Sequence, residues 1–191
     1  DLDPDQGAIL LNGHDVRELD PQWLRSTVGL VMQEIYLIPG SIRENILLDR
    51  EMNDSEFKRI LELAQLTEFI NRLPDGVHTK IGEGNLDLSA GQRQLLAMAR
   101  VMARNPEILV LDEATANVDS ETEILVERAI EATLAKRTSI VIAHSLSTIR
   151  SSDRIIVMDS GRIIEEGTHE QLMVQKGFYH RLQNLQYSEW N

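Results

Sequence analysis

Apolar and polar positions follow three rhythms along the chain. Residues 8–12 and 28–32 are short apolar runs of strand length. Between them Asp20 precedes Pro21, a cap followed by a proline at a first helical position, so residues 21–26 predict a helical turn. The period then lengthens. Ser41-Ile-Arg-Glu44 has capping-box spacing and predicts a helix to about Leu48. Asp54 is expected to cap a second helix, with Phe57, Ile60, Leu61 and Ala64 on one face. Residues 74–88 hold a proline and three glycines and read as loop. Ser89 is expected to open a third helix reaching about Arg104, so residues 41–105 form an all-helical lobe.

The second half alternates. Residues 107–111, 138–143 and 154–158 are unbroken apolar strands, separated by predicted helices over 120–135 and 147–150. That alternation predicts a parallel sheet covered on both faces. Residues 162–166 are a weaker strand after a Ser160-Gly161 turn. Thr168-x-x-Gln171 caps one further helix, and Gly177 separates it from a last one ending near Gln186.

Composition narrows the class. Hydrophobic residues at 42% and charged residues at 26% exclude disordered, collagenous and coiled-coil chains. A length of 191 residues is enough for a real core. The net charge of −12 repels phosphate backbones and argues against nucleic acid as a partner. With no cysteine there is no disulfide or thiolate metal site. No apolar run approaches the ~20 residues of a membrane helix. The sequence starts at Asp1 and its first methionine is Met32, so it is expected to be a trimmed or partial chain.

Four places carry candidate chemistry. The strand at 108–112 ends in consecutive acids, Asp112 and Glu113. In an open parallel sheet, ligands bind beyond the carboxyl ends of strands. Paired carboxylates there suit Mg²⁺ and an attacking water: one acid holds the metal shell and the other orients or deprotonates water. Solvated acids at a strand end are the plain alternative. Leu88-Ser-Ala-Gly-Gln92 is itself a capping box, yet Gly91 in the first turn costs about 0.5–1 kcal/mol relative to alanine. A glycine there lets a ligand approach free N–H groups at the positive end of the helix. His144 and Gln33 each follow a predicted strand; taken alone, such residues are usually structural or simply polar.

Taken together, Gln33, Ser89–Gln92, Asp112-Glu113 and His144, in this order around a helical lobe, strongly resemble the ATP-binding cassette nucleotide-binding domain. The resemblance spans essentially the whole chain. Leu88-Ser-Ala-Gly-Gln92-Arg93-Gln94 looks like the family signature, and residues 108–113 like its Walker B strand. Residues 116–119 look like its D-loop, residues 142–149 like its switch-histidine segment, and Gln33 like its Q-loop glutamine. Lys80-Ile-Gly-Glu83, residues 28–46 (ending Ser-Ile-Arg-Glu-Asn-Ile) and residues 166–172 are similar to the exporter branch.

The resemblance implies a mostly parallel α/β core like that of P-loop NTPases, flanked by helices. Residues 1–40 would supply core strands and the Q-loop. Residues 41–105 would form an inserted helical subdomain, and residues 106–191 the remaining core. It implies ATP and Mg²⁺ as cofactors. Asp112 and Gln33 would hold the metal, Glu113 would polarise the attacking water, and His144 would bond the γ-phosphate. Ser89, Ala90, Gly91 and Gln92 would face the ATP of a second such domain, and Asp119 would bridge the pair. The implied partners are that second domain, identical or different, and a transmembrane domain of the same transporter, placing the chain at the cytoplasmic face of a membrane.

No glycine here is followed by lysine, so these residues hold no P-loop; the resemblance implies that the family's P-loop would lie just ahead of residues 1–7. The chain is therefore expected to lack the P-loop and the first strands, and to be inactive alone. Ser145 stands where arginine is usual, Asn85 where glycine is customary, and residues 37–40 read Leu-Ile-Pro-Gly rather than an aromatic-rich loop. Rival readings are a non-catalytic module lending only its signature face, an importer subunit, or a chromosome-maintenance ATPase. The last would need a coiled coil between Gln33 and Ser89, where no heptads occur.

Overall fold

The computed structural model describes residues 4–32, 35–82, 84–112, 119–135, 137–142 and 146–188. They fall into two compact units, residues 1–142 and 143–191.

The first unit opens with β1 (Leu10–Leu11) and β2 (His14–Asp15), an antiparallel hairpin. Its turn is Asn12-Gly13, both with positive φ, 50° and 84°, as a tight hairpin turn requires. Helix α1 (Pro21–Thr27) is capped by Asp20, which accepts from the Trp23 N–H at 2.8 Å. β3 (Val28–Val31) follows.

The helical lobe comes next. β4 (Gly40–Ser41) leads into α2 (Ile42–Leu47), and the Ser41–Glu44 capping box is present in both directions. α3 (Asp54–Leu63) differs at its start from the expected cap. Asn53 is the N-cap and accepts from the Glu56 N–H at 2.9 Å, while Asp54 sits in the first turn and pairs with Arg43 at 3.1 Å. α4 (Thr67–Asn71) is short. The stretch read as loop contains a 3-10 turn at Gly76–His78 and β5 (Lys80–Ile81), which pairs antiparallel with β4. Two-residue strands carry too little periodicity to be seen in sequence.

α5 (Ala90–Arg104) is the spine of this unit. Leu95, Leu96, Met98, Ala99 and Val101 are all buried, so the helix is packed nearly all round. At about 1.5–3 kcal/mol for each large apolar side chain, this burial outweighs the cost of Gly91 in the first turn. Asn105, in the left-handed conformation, and Pro106 end it.

β6 (Ile108–Asp112), α6 (Ser120–Leu134) and β7 (Thr138–Ile142) complete a three-stranded parallel sheet in the order β3-β6-β7. Gly29, Leu109 and Ser139 align in one row, and Val31, Leu111 and Val141 in another. Leu109 and Leu111 on this face share a core with Leu95, Met98, Val126 and Ile130 of α5 and α6. The other face differs from expectation. Leu30, Val110 and Ile140 align there in register, and Leu30 is 56% and Ile140 59% exposed. Ile142 and Met32 are exposed as well. The sheet is thus covered on one face only among the described residues.

The second unit holds α7 (Leu146–Arg150), β8 (Ile155–Asp159), β9 (Arg162–Gly167), α8 (His169–Gln175) and α9 (Phe178–Ser188). Among the described residues β8 pairs with no parallel strand, although its apolar run predicts one. It pairs instead with β9 in an antiparallel ribbon. Ser160 and Gly161, with φ of 48° and 75°, make the tight primed turn that folds β9 straight back on β8. Leu172 and Tyr179 are buried against this ribbon.

Candidate functional site

The register of the sheet gathers three strand ends on one rim. Val31 pairs with Leu111, and Asp112 pairs with Ile142, all strands running the same way. Asp112 is the last residue of β6 and is partly buried. Gln33, Glu113, Ala114–Val118 and His144 lie outside the described residues, as does Glu83. In the chain Gln33 comes two positions after Val31 and His144 two after Ile142.

The Ser89 turn is a full capping box. Ser89 Oγ accepts from the Gln92 N–H at 3.2 Å, and Gln92 Oε1 accepts from the Ser89 N–H at 2.9 Å. Capping and ligand contact are compatible, because a hydroxyl that accepts one bond keeps its own proton to donate. Ser89 is exposed, Ala90 and Gln92 are partly buried, and Gly91 is buried. Next to the box, Arg93 lies 3.5 Å from Asp87.

Asp119 is the N-cap of α6 and accepts from the Thr122 N–H at 3.0 Å. That backbone bond holds its carboxyl below the usual carboxylate range. Its side chain is exposed.

Under the rim lies a cavity of about 10 Å³, lined among others by Val31, Met32, Gln94, Met98, Leu111 and Asp112. It is of single-water size, far below the roughly 300–1,000 Å³ of a cofactor pocket. Among the described residues no group of three or more His, Asp or Glu forms a metal cluster, and no helix is long and apolar enough to cross a membrane.

Sequence reasoning missed two polar residues. Asn45, on the apolar side of α2, is fully buried. Its amide oxygen accepts from the Ile38 N–H at 2.9 Å, and its amide nitrogen donates to Ile38 O and Ser41 O. Arg100, on α5, donates to the backbone oxygens of Asn45 and Tyr36. An asparagine at a helix position whose neighbours Ile42, Ile46 and Leu47 are apolar was the available signal.

Sheet, rim and capped helix together define a mixed α/β domain with a parallel sheet flanked by helices. The chain belongs to the ABC transporter family: the family model of that description matches residues 1–116. It is similar to "ABC transporter B family member 13" of Arabidopsis thaliana, 44% identical over 190 residues, which are 98% of this chain and 15% of that one. It is also 42% identical over 191 residues to the "ATP-dependent lipid A-core flippase" of Cupriavidus pinatubonensis, covering 98% of this chain and 32% of that one. The "Putative ABC transporter ATP-binding protein exp8" of Streptococcus pneumoniae is 45% identical over 180 residues, 94% of this chain and 31% of its own. The chain thus spans about a third or less of the length of these relatives.

Proposed function

We propose that this chain is part of the ATP-hydrolysing motor of an exporter, coupling ATP binding and hydrolysis to movement of a substrate across a membrane. One observation carries the reading: the parallel register that sets the ends of β3, β6 and β7 side by side, with Asp112 on the rim. The likeness to a flippase named as ATP-dependent supports it.

In this reading Glu113 takes a proton from the attacking water. The water oxygen bonds the γ-phosphorus as the bond to the ADP oxygen breaks. His144 donates to the γ-phosphate and stabilises the charge that develops there. Asp112 and Gln33 offer hard oxygen donors, the kind Mg²⁺ takes, and a strand-end carboxylate fits that role. Bound Mg²⁺ would neutralise phosphate oxygens. Ser89, Ala90, Gly91 and Gln92 face the ATP of a second nucleotide-binding domain, and Asp119 bridges the two. The transmembrane domain of the transporter, at whose cytoplasmic face the motor works, is the other partner.

The test is Glu113→Gln in the longer protein that contains this chain. Glutamine keeps the size and one acceptor but cannot take a proton. Hydrolysis should nearly stop while ATP stays bound and the two domains stay together. Turnover within a few-fold of the unmodified protein would refute the general-base role. Within the 191 residues no glycine precedes a lysine. A protein whose signature face serves only a partner's ATP would instead lose nothing at its own site in this variant.

A further inference from the structure

The half-buried Arg100 finds only neutral partners among the described residues. Its Nε donates to Asn45 O at 2.8 Å, one terminal nitrogen to Tyr36 O at 3.0 Å, and the other to Asn45 Oδ1 at 3.5 Å. Burial pushes its pKa down from the usual arginine value. A guanidinium half withdrawn from water with no carboxylate beside it carries a desolvation cost that an apolar residue in the same space would not. What the arginine adds is geometry: its planar fork reaches two separate backbone oxygens at once.

Those two oxygens belong to different segments. Asn45 is on α2, and Tyr36 lies in the stretch without regular secondary structure that follows Gln33 in the chain. Asn45 holds the same stretch a second time, through both the N–H and the C=O of Ile38. Residues 36–38 are therefore fastened twice, once to α2 and once to the helix capped by Ser89. Tyr36 itself points its side chain into solvent, 79% exposed. A loop that buried only apolar side chains could slide on α5; one pinned through its backbone at two residues cannot.

We propose that Arg100 is a positioning residue. With Asn45 it clamps residues 36–38 to α5, so that any ATP-driven displacement of the Ser89–Gln92 turn carries the exposed Tyr36 surface with it. This rests on the ATPase reading above. The clamp joins the end of the molecule that meets a partner's ATP to the stretch beside Gln33, and makes one lever of the two.

The experiment uses the longer protein, freed of other cysteines, with Tyr36→Cys as a reporter. In the nucleotide-free state Arg100→Lys keeps the charge but loses the fork. Backbone amide exchange over residues 35–38 should rise at least ten-fold while the unfolding temperature stays within a few degrees. Unchanged exchange would overturn the clamp. On adding ATP, maleimide labelling of the reporter thiol should change at least five-fold with Arg100 in place. In Arg100→Lys that response should vanish, with ATP affinity held within two-fold. A retained response, or ATP affinity lost in parallel, would show Arg100 to be merely structural and overturn the proposal. Should the lysine variant not fold, Arg100→Gln is measured in the same way, and failure of both to fold also counts against a positioning role. If the unmodified protein binds no ATP, the ATPase reading fails and the lever with it, while the amide exchange still decides whether the clamp exists.

Discussion

Glu165 of β9 accepts a hydrogen bond from the Tyr179 N–H at 2.8 Å, and a second from the Phe178 N–H, so one strand carboxylate caps the N-terminus of α9. Gly177 stands immediately before, and a Cβ there would overlap Glu165 Oε1. The glycine is needed for the space it leaves, not for its backbone freedom.

Losing this cap should cost about 1–2 kcal/mol, the upper range for helix N-caps. Glu165→Ala and Gly177→Ala are each expected to lower the stability of residues 143–191 by that amount, measured by urea unfolding with amide exchange on α9. Because both remove the same contact, the double variant should cost clearly less than the sum. Full additivity would show that Gly177 matters for some other reason.

Asp119 gives a pH signature. The Thr122 N–H holds its folded pKa below the unfolded value of about 3.9. A depressed carboxyl stabilises the fold above the unfolded pKa and loses that contribution as pH falls through the folded one. The stability difference between the unmodified chain and Asp119→Ala should therefore be flat at neutral pH and close below about pH 4. Asp119→Asn, a good cap without a charge, should differ little from the unmodified chain in stability at pH 7. A normal transport rate in Asp119→Asn would argue that the residue is a cap and no bridge.

At Gly91 stability and activity should part. If Ser89-Ala-Gly91 only starts a helix, Gly91→Asp is mild or favourable, since an acid in the first turn gains ~0.3–1 kcal/mol from the helix dipole. If that backbone faces a phosphate, the acid repels it. The expected outcome in the longer protein is an unfolding temperature nearly unchanged, with ATP-driven pairing and transport abolished. A variant that pairs and transports normally would leave the turn a cap alone.

The 191 residues on their own are expected to hydrolyse no ATP and to self-associate through the open sheet face. Leu30 and Ile140 lie in one row there and are more than half exposed. Exposed apolar area of this kind drives association. Ile140→Lys should reduce association in sedimentation while changing stability by no more than about 0.5 kcal/mol, as for an exposed site. Association unchanged by Leu30→Lys and Ile140→Lys together would place the sticky surface elsewhere.

Much of the chain is legible from its residues alone. The box at Ser41 and Glu44, the box at Ser89 and Gln92, and that at Thr168 and Gln171 are local, so the residues that make them are close in sequence and the caps form where they are read. The apolar strands at 108–112 and 138–142 are likewise set by their own composition, as is the order of acids and polar residues that marks the family. What sequence could not decide is long-range. The β8–β9 ribbon follows from the local Ser160-Gly161 turn, but whether β8 also joins a parallel sheet is decided by segments distant in sequence. That one face of the β3-β6-β7 sheet is open among the described residues depends on which helices reach it, a matter of packing between distant segments. The pairing of Arg100 with Asn45 and Tyr36 spans 55 and 64 positions, and the cap that Glu165 places on Tyr179 spans 14. No local period encodes such contacts, because each is fixed only when the fold brings a lone side chain to a backbone group that would otherwise be buried without a partner.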